Sequence, residues 1–334
     1  MRLLVTGGAG YIGGFATGLL IKLGHNVIVL DDLSSGHPAN ARGAELITAD
    51  VGNEQLLTEV LTRHRIEAVL HFAAKKSVGQ SWKRPHEYLD VNVAKTLALL
   101  RAMGSVGVTQ IIYSGSCGVY GDTDSAGINE SHPADPQNPY AATKWLAEQA
   151  VAWVARASRL RFVVLRYFNA AGASQDGSAG EDPRHADSLI PTVMKAALGL
   201  VPHVPIFGTD YPTADGTAIR DYTHVVDLAD AHVKALDYLI DGGESRVLNL
   251  GTGFGTSVRQ VISMTEQVSG LSVPSLEAPR RPGDITAIWA DASLAHSILG
   301  WQAQLSLRDI IDSAWQWHSS HPAGYESQVR EIRH

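Results

Sequence analysis

Tyr140 and Lys144 are the residues whose types and spacing most directly suggest chemistry. They lie four residues apart in Tyr-Ala-Ala-Thr-Lys, and in a helix this spacing places both side chains on the same face. A lysine ammonium beside a phenol favours the phenolate, because the positive charge stabilises the ionised form. The pair therefore predicts a tyrosine general base, although in isolation the same spacing also suits an ordinary pair on a helix surface.

A serine-containing turn supplies further hydroxyl groups. Residues 114–121 read Ser-Gly-Ser-Cys-Gly-Val-Tyr-Gly and follow an apolar run that predicts a strand at 110–114. In an open parallel sheet, ligands bind at the carboxyl ends of the strands. The hydroxyl groups of Ser114 and Ser116 are therefore expected at the edge of the sheet where a ligand would lie.

A glycine loop near the N-terminus predicts a dinucleotide site. Gly7, Gly10 and Gly13 stand between a predicted strand and a predicted helix. Glycine lets the backbone turn tightly and approach a diphosphate, which lies against the free N–H groups of the helix N-terminus. Asp31 ends the next predicted strand, where a carboxylate binds the ribose hydroxyls of adenosine and repels a 2′-phosphate. We therefore predict NAD as the cofactor, in preference to NADP, although an isolated aspartate there would be a turn residue.

Alternating strands and helices would position these residues. The apolar runs predict strands at 2–6, 26–30, 45–48, 68–72, 110–114 and 161–166, with helices at 11–23, 54–64, 85–103 and 140–157. Strict alternation of this kind is typical of an α/β fold with a Rossmann-type, doubly wound parallel sheet and helices on both faces.

The composition changes after Asn169, where residues 170–184 are rich in Gly, Ser, Asp and Pro. We predict an NAD-binding Rossmann domain at 1–169, joined by segments around 220–250. Residues 170–334 would mainly form a smaller C-terminal α/β substrate-binding domain, with helices at 189–198, 226–239, 257–268 and 307–318. The substrate would lie in the crevice between the two domains.

Composition limits the classes of function. The 334 residues are 45% hydrophobic and 18% charged, with a formal net charge of -7, which argues against nucleic acid or an anionic membrane as a partner. No apolar run is long enough to span a bilayer. The single cysteine, Cys117, excludes a disulfide framework and favours the cytoplasm. The 14 histidines lack the spacing of a metal site, so no metal is predicted.

Longer motifs carry a family resemblance over nearly the whole chain. They are His-Phe-Ala-Ala at 71–74, Arg-Tyr-Phe-Asn-Ala-Ala-Gly-Ala at 166–173, Ile-Phe-Gly-Thr-Asp-Tyr-Pro-Thr at 206–213, Asp-Gly-Thr-Ala-Ile-Arg-Asp-Tyr-Thr-His at 215–224, Asn-Leu-Gly at 249–251 and Arg-Arg-Pro-Gly-Asp at 280–284. With the glycine loop and the Tyr-Lys pair, the sequence resembles the extended short-chain dehydrogenase/reductase superfamily and, within it, the UDP-sugar 4-epimerases.

The resemblance implies roles for matching positions. The catalytic residues would be Ser116, Tyr140 and Lys144. NAD would be held by Gly7, Gly10, Tyr11, Ile12, Gly13, Asp31, Asp50, Val51, Phe72, Ala73, Lys76, Asn92, Lys144 and Tyr167. The UDP-sugar would be held by Lys76, Ser116, Tyr140, Phe168, Asn169, Ser188, Leu189, Ile206, Phe207, Arg220, Tyr222, Val258, Arg281, Asp284 and Ile288. Independently of the family, Arg220 and Arg281 offer planar donor groups that suit a diphosphate.

The implied activity is NAD-dependent epimerisation at C4 of a UDP-sugar, with UDP-glucose and UDP-galactose as the first choice. Tyr140 would take the proton of the 4-hydroxyl while hydride leaves C4 for NAD, and the positive nicotinamide ring would help Lys144 to favour the phenolate. The 4-keto sugar would turn over before hydride returns. The resemblance also implies a homodimer formed through the helices predicted at 85–103 and 140–157.

Three departures from the family pattern bear on the substrate. Gly14 and Phe15 stand where the family usually has Ser-His, and Ser188 stands where Asn or His usually contacts the sugar or phosphate. Ile288 is bulky at the position whose size governs admission of N-acetyl sugars, which favours UDP-glucose and UDP-galactose. Epimerisation of UDP-N-acetylglucosamine, or of UDP-xylose and UDP-arabinose, stays open.

Other functions of the superfamily are less consistent with the sequence. Cys117 and Gly118 occupy positions where sugar-nucleotide dehydratases and decarboxylases carry an acidic residue. A GDP-fucose synthase type of epimerase-reductase would use Cys117 with a histidine such as His185, but Asp31 and the arginine motifs favour NAD and UDP. A catalytically silent NAD-binding protein would need the glycine loop without the three catalytic side chains.

Overall fold

Seven parallel strands form the central sheet of the computed structural model, which describes residues 1–123, 127–281 and 284–326. In order across the sheet, the strands are Arg246–Leu250, Arg161–Tyr167, Gln110–Ser114, Ala68–His71, Arg2–Thr6, Asn26–Asp31 and Glu45–Thr48. Every neighbouring pair is parallel. The predicted Rossmann-type, doubly wound parallel sheet is confirmed.

Both faces of the sheet are buried, because successive side chains of a strand point to opposite sides. Leu3 and Val5 pack in one apolar cluster with Leu236 of the helix Val225–Ile240. Leu4, between them, packs in a second cluster on the other face. The apolar runs read from the sequence are therefore strands covered by helices on both sides.

Helices account for most of the remaining regular structure. They are Tyr11–Lys22, Glu54–Arg63, Val78–Lys83, Pro85–Leu89, Lys95–Val106, Pro139–Ala157, Leu189–Ala197, Val225–Ile240, Val258–Ser269, Ser293–Leu299 and Leu307–Ser320. Short 3-10 helices lie at Pro38–Ala41 and Cys117–Tyr120. Within the three described ranges, no helix combines the length and apolar character needed to cross a membrane.

The helix predicted at 85–103 is interrupted by a π-helical turn, Asp90–Ala94. Asn92 lies in this turn, and its Oδ1 accepts a hydrogen bond from the Lys75 N–H at 2.8 Å. The Asn92 amide also donates to the hydroxyl of Thr143 at 3.0 Å. A π turn is rare and has no apolar spacing of its own, so the sequence pattern does not predict it.

Smaller sheets lie beyond the carboxyl edge of the central sheet. Thr256–Ser257, Ile219–Arg220, Ala287–Ala290 and Gly127–Ile128 form one sheet in that order, Asn169–Ala171 pairs with Tyr222–His224, and Val204–Phe207 pairs with Ser275–Ala278. A separate apolar cluster joins Ile190, Val261 and Ile311, which lie on three different helices.

The strand order reverses between Arg2–Thr6 and Ala68–His71. From this point the chain adds strands in one direction through Asn26–Asp31 and in the other through Gln110–Ser114. A crevice opens at the carboxyl ends of the strands where such a sheet changes direction, and ligands bind there. The glycine loop and the Ser116 turn both begin at that edge.

Candidate active site

The helix Pro139–Ala157 carries Tyr140 in its first turn. The Asn138 side chain caps this helix by accepting a backbone N–H from the first turn at 2.9 Å, and the ring of Pro139 suits the first helical position. Lys144 follows one turn later and is 3% exposed. The cap thus sets the position of both predicted catalytic side chains.

Ser116 is brought to Tyr140 by the turn after the strand Gln110–Ser114. The Ser116 hydroxyl oxygen accepts the N–H of Gly118 at 3.2 Å and so caps the short 3-10 helix that follows. The Ser116 side chain also lies near enough to the phenol of Tyr140 to affect its pKa. The structure therefore brings the two hydroxyl groups together at the carboxyl edge of the sheet.

Burial dominates the electrostatics of the Tyr-Lys pair. It raises the pKa of Tyr140 to about 12, and the interaction with Ser116 opposes this rise. Burial lowers the pKa of Lys144 to about 7, against the opposing charge of Glu148. In the protein alone, the pKa of the phenol is thus above its usual range and not below it, because lost hydration outweighs the interaction with Ser116. The lowering expected from the sequence requires an additional positive charge.

The glycine loop brings backbone groups closer together than side chains would allow. Gly7 has φ of +73°, and a Cβ there would lie 2.5 Å from the Ala73 nitrogen. A Cβ on Gly13 would lie 2.3 Å from the Gly7 carbonyl oxygen. Gly10 begins the helix Tyr11–Lys22, and no side chain caps that end. The loop therefore presents an uncapped helix N-terminus at the carboxyl edge of the sheet, which suits an anionic ligand.

Asp31 lies beside this loop and is 7% exposed. Its two carboxylate oxygens accept one N–H each, from Ala9 at 3.0 Å and from Leu33 at 2.9 Å. Burial raises the pKa of Asp31, and these backbone hydrogen bonds oppose the rise. Each oxygen keeps a further acceptor site.

Asp50 and Val51 lie beyond the neighbouring strand Glu45–Thr48. Asp50 accepts the Gly52 N–H at 2.7 Å and an ammonium hydrogen of Lys95 at 2.6 Å. Val51 is buried in the core cluster on one face of the sheet. Their positions are thus fixed by local packing.

Two predicted cofactor residues contact a later segment of the chain. The Tyr11 hydroxyl donates to the Gly172 carbonyl at 2.5 Å, and Lys76 forms an ion pair with the mostly buried carboxylate of Glu181. Ile12, next to Tyr11, packs partly buried against the core. The segment 172–181 therefore lies directly against the start of the helix Tyr11–Lys22 and against Lys76, which follows the strand Ala68–His71.

Phe72 and Tyr167 follow or end two strands of the central sheet. The Phe72 ring lies 4.6 Å from the ring of His232, measured between centroids. The Tyr167 hydroxyl hydrogen-bonds Ser114. Both aromatic side chains are only partly buried, which leaves an apolar surface at the edge of the sheet.

Arg281 and Asp284 form a two-contact ion pair, with Nε at 2.8 Å from Oδ2 and Nη2 at 3.1 Å from Oδ1. The Arg281 guanidinium also lies 4.5 Å from the centre of the Phe207 ring. Arg220 donates to the carbonyl of its neighbour Ile219 at 2.8 Å. Burial raises the pKa of Tyr222 to about 12, and both guanidinium groups oppose that rise, so the two arginines act on the same part of the site.

Phe168 and Ile288 lie in one buried apolar cluster, which Cys117 contacts. Burial raises the pKa of the Cys117 thiol to about 12, so the thiol is not an activated nucleophile. Cys117 is therefore a packing residue of this cluster. The Asn169 N–H donates to the Asp221 carbonyl at 2.9 Å, which joins the strand after Phe168 to the strand after Arg220.

The remaining predicted substrate residues lie in or beside the second apolar core. Ile206 is 2% exposed within that core, with Leu189 and Val258 partly buried against it. Ser188 is exposed and its hydroxyl does not cap the helix Leu189–Ala197. Among these four, Ser188 alone offers a free polar side chain.

Sequence reasoning did not single out Glu148 or Glu181. Glu148 forms a buried ion pair with Arg166, and its position four residues after Lys144 is a signal that the sequence contains. Glu181 binds Lys76 from 105 residues away, and no local spacing predicts that contact. Across the described ranges, no group of three or more His, Cys, Asp or Glu residues could hold a metal ion.

The profile of the NAD dependent epimerase/dehydratase family matches residues 3–251. The chain is 46% identical to UDP-glucose 4-epimerase of Rhizobium meliloti (strain 1021), over 97% of this chain and 98% of that protein.

Two solved structures are similar over their whole length. UDP-glucose 4-epimerase from Bifidobacterium longum, in complex with NAD+ and UDP, has a TM-score of 0.93 and 40% identity, covering 97% of this chain and 100% of that one. UDP-glucose-4-epimerase from Stenotrophomonas maltophila, with bound NAD and formylated UDP-arabinopyranose, has a TM-score of 0.93 and 40% identity, covering 100% of both chains.

Proposed function

We infer that this chain, which belongs to the NAD dependent epimerase/dehydratase family, is an isomerase that inverts C4 of a UDP-sugar with NAD as its cofactor. The observation that carries this function is the placement of Ser116 beside Tyr140, one helical turn before Lys144, at the edge of the sheet where the glycine loop begins. Full-length similarity to UDP-glucose 4-epimerases supports the same reaction and confirms the family resemblance read from the sequence.

The residues present fit a dinucleotide. Gly7 and Gly13 leave no space for a Cβ, the helix Tyr11–Lys22 starts without a side-chain cap, and Asp31 keeps acceptor sites at the end of its strand. We assign the diphosphate to that helix N-terminus and the adenosine ribose to Asp31. Bound NAD supplies the chemistry of accepting hydride from C4 and returning it.

Tyr140 is the proposed base, and its Oη takes the proton of the sugar 4-hydroxyl while Ser116 orients that hydroxyl. Because burial raises the pKa of Tyr140, the phenolate requires positive charge from Lys144 and from the oxidised cofactor. The same Oη returns the proton after the 4-keto sugar has turned over. The chain thus holds one proton at one atom through both halves of the reaction.

UDP is assigned to the arginine pair. Arg220 and Arg281 act on the same phenol of Tyr222, and their planar donor groups suit a diphosphate. Phe207, beneath Arg281, offers an aromatic surface for the base. Tight binding of UDP leaves the hexose free to turn over, as inversion at C4 requires.

UDP-glucose and UDP-galactose are the proposed substrate pair, and their interconversion would serve galactose metabolism. Ile288 is bulky and 2% exposed, within the cluster that includes Phe168, so an N-acetyl group would have to displace packed atoms. A pentose remains a second candidate, because loss of C6 removes contacts without adding a clash. The Stenotrophomonas maltophila structure with a formylated UDP-arabinopyranose supports testing it.

The direct test is epimerisation of UDP-galactose by the purified chain without added NAD, followed by a panel of UDP-pentoses and UDP-N-acetylhexosamines. We expect UDP-glucose as the product and at least about a 100-fold loss of kcat in Tyr140→Phe, because the base is removed. Tyr238→Phe, on the helix Val225–Ile240, is the matched control. Absence of any UDP-sugar product, or equal loss in both variants, would disprove the proposed function.

A homodimer is also proposed. Trp82, Leu89, Leu146 and Trp153 are 40–64% exposed and lie on the helices Val78–Lys83, Pro85–Leu89 and Pro139–Ala157. Exposed apolar groups of this size mark interaction surfaces. Trp153→Glu should yield a monomer in sedimentation velocity, whereas Phe254→Glu, at a similarly exposed aromatic side chain, should not. A monomeric parent chain would refute the dimer.

The predicted domains, 1–169 with segments around 220–250 for NAD and 170–334 mainly for the UDP-sugar, are part of this proposal. The strand Arg246–Leu250 in the central sheet supports the assignment of a later segment to the first domain. We also propose a cytoplasmic location, because the one cysteine of the chain is unpaired. Cell fractionation with an antibody against the chain would test it.

A further inference from the structure

A buried ion pair lies directly behind the Tyr-Lys pair. Arg166 donates to Glu148 from Nε at 2.9 Å and also from Nη2, and the two side chains are 8% and 3% exposed. Glu148 follows Lys144 by four residues, as Lys144 follows Tyr140, so the three share one face of the helix Pro139–Ala157. A carboxylate therefore stands next to the proposed catalytic lysine.

An unpaired carboxylate at this position would bind Lys144, because opposite charges four residues apart on a helix attract each other. In the structure, Arg166 occupies both oxygens of Glu148. The Lys144 ammonium lies instead 4.6 Å from the centre of the Tyr113 ring. The planar guanidinium thus holds the carboxylate in a geometry that a single ammonium cannot match.

The same pair reaches the turn that carries Ser116. Arg166 Nη1 donates to the Tyr120 hydroxyl at 2.8 Å, and that hydroxyl donates to Asn249 Oδ1 at 2.7 Å. Tyr120 ends the short 3-10 helix that Ser116 caps. The network therefore ties the helix of the base to the turn of the serine.

We propose that Glu148 and Arg166 are positioning residues that act together on Tyr140 and Lys144, the Tyr140–Lys144 couple. Arg166 keeps the Glu148 carboxylate from binding Lys144, and the ion pair keeps the net charge beside the couple close to zero. The proposal deepens the proposed function and rests on it for its catalytic consequence. Its electrostatic consequence can be measured without any substrate.

The expected signs follow from the groups around Lys144. Glu148 acts on it from its own helix, which also carries Tyr140 one turn earlier, and Tyr113 and His71 face it from the sheet. Removal of the negative charge of Glu148 leaves Arg166 positive, and this positive charge favours loss of a proton from the Tyr140–Lys144 couple. Removal of Arg166 leaves Glu148 negative, which disfavours that loss. The two single variants should therefore shift the titration of the couple in opposite directions.

The experiment titrates the Tyr140 phenolate by its ultraviolet absorbance, taken as the difference between each background and the same background carrying Tyr140→Phe. Glu148→Gln should move the midpoint down by about one pH unit and Arg166→Met should move it up by about one unit. The double variant should return to within a few tenths of a unit of the parent. The kcat profile for UDP-galactose should move in parallel.

Tyr120→Phe is the matched control, because it removes one hydroxyl from the network and no charge. It should lower kcat about threefold to tenfold by loosening the serine turn, with the midpoint unchanged. If Arg166→Met does not fold, because it leaves a buried carboxylate unpaired, Glu148→Gln and the double variant still decide the question. Shifts in the same direction, or an equal shift in Tyr120→Phe, would overturn the proposal. An inactive parent chain would instead disprove the proposed function, while the absorbance titration would still test the pair.

Discussion

The glycine loop and a second region, mainly in residues 170–334, differ in the groups that would bind a ligand. The first holds the proposed cofactor site, and the second holds the proposed UDP-sugar site at Arg220 and Arg281. Around the glycine loop the contacts are made by backbone, where Gly7 and Gly13 leave no room for side chains. In the second region the expected ligand groups are long side chains that already have partners, such as Arg281 with Asp284 and Arg220 with a strand carbonyl. Backbone geometry persists when a ligand leaves, whereas side chains exchange partners. The first site thus suits the proposed resident cofactor, and the second suits the proposed substrate, which must enter and leave.

The Arg281 guanidinium can exchange its partner when a ligand enters. The Arg281 guanidinium is 58% exposed and held by one carboxylate, so an incoming diphosphate competes for the same N–H groups. Asp284 then needs a new donor, and the hydroxyls of a ribose are donors. By contrast, Asp31 can accept ribose hydroxyls without giving up the backbone N–H groups it already binds.

Gly13 tests whether the cofactor site depends on the backbone geometry of the glycine loop. In Gly13→Ala the new Cβ would lie 2.3 Å from the Gly7 carbonyl oxygen, so the loop must move and the helix N-terminus is misplaced. We expect retained NAD and epimerase activity to fall at least about 100-fold, measured by absorbance of released cofactor and by turnover. Gly18→Ala, on the same helix, meets its nearest atom at 3.4 Å and should retain NAD. Full retention of NAD in Gly13→Ala would show that the cofactor site does not depend on the backbone geometry of the glycine loop.

Acid stability tests whether the two regions unfold together. His71, in the sheet, and His318, in the second region, are buried and neutral, and burial lowers their pKa values from 6.5 to about 3 and about 4. The unfolded chain takes up protons below pH 6.5 whereas these two side chains do not, so their stabilising contribution is complete above pH 6.5 and is lost as the pH falls toward 4. We expect a loss of about 2–3 kcal/mol per histidine at pH 4.5.

Urea unfolding at pH 7.5 and 4.5 measures this loss. In His71→Gln and His318→Gln the difference in unfolding free energy between the two pH values should shrink by similar amounts, because one cooperative transition includes both regions. The exposed His86→Gln should leave the difference unchanged. Two separate transitions, each sensitive to one substitution, would show instead that the regions unfold independently.

The sequence predicted these two regions unequally, and the reason is the range of the contacts. The glycine loop, its strand and its helix are consecutive, so their spacing alone predicts the turn and the exposed helix end. Arg220 lies on a strand between Thr256–Ser257 and Ala287–Ala290, and no local pattern specifies those neighbours. The family resemblance singled out Arg220, and the chemistry of its guanidinium supported a diphosphate without indicating these neighbours.

Two further features escaped prediction for related reasons. The π turn at Asp90–Ala94 has no apolar spacing of its own by which a sequence could reveal it. Glu148 stands at a visible helical spacing from Lys144, but its partner Arg166 lies on a different element. A spacing rule could propose a Lys-Glu pair there, and the fold instead gives the carboxylate to the arginine.

A smaller effect tests the side-chain-made site. Arg281→Met removes a diphosphate donor and leaves the Asp284 carboxylate unpaired near the ligand, so the KM for UDP-galactose should rise about tenfold to 100-fold. Retained NAD and kcat at saturation should change little. Arg280→Met is the matched control, because Arg280 is bound to Asp210 and stacks on Tyr211. Equal KM changes in both variants would remove Arg281 from the site.

Ser188, at the start of the helix Leu189–Ala197, allows a test in which a side-chain contact is added. Ser188 is exposed and does not cap its helix, at a position where the resemblance implies that a longer Asn or His touches the sugar or phosphate. Ser188→Asn should therefore lower the KM for UDP-galactose about threefold, the effect of one added neutral hydrogen bond, while retained NAD stays constant. Thr192→Asn, one turn further along the helix, should not change the KM. If Ser188→Asn raised the KM, the ligand would approach this helix end more closely than a side chain allows, and the site there would be made by backbone, like that of the cofactor.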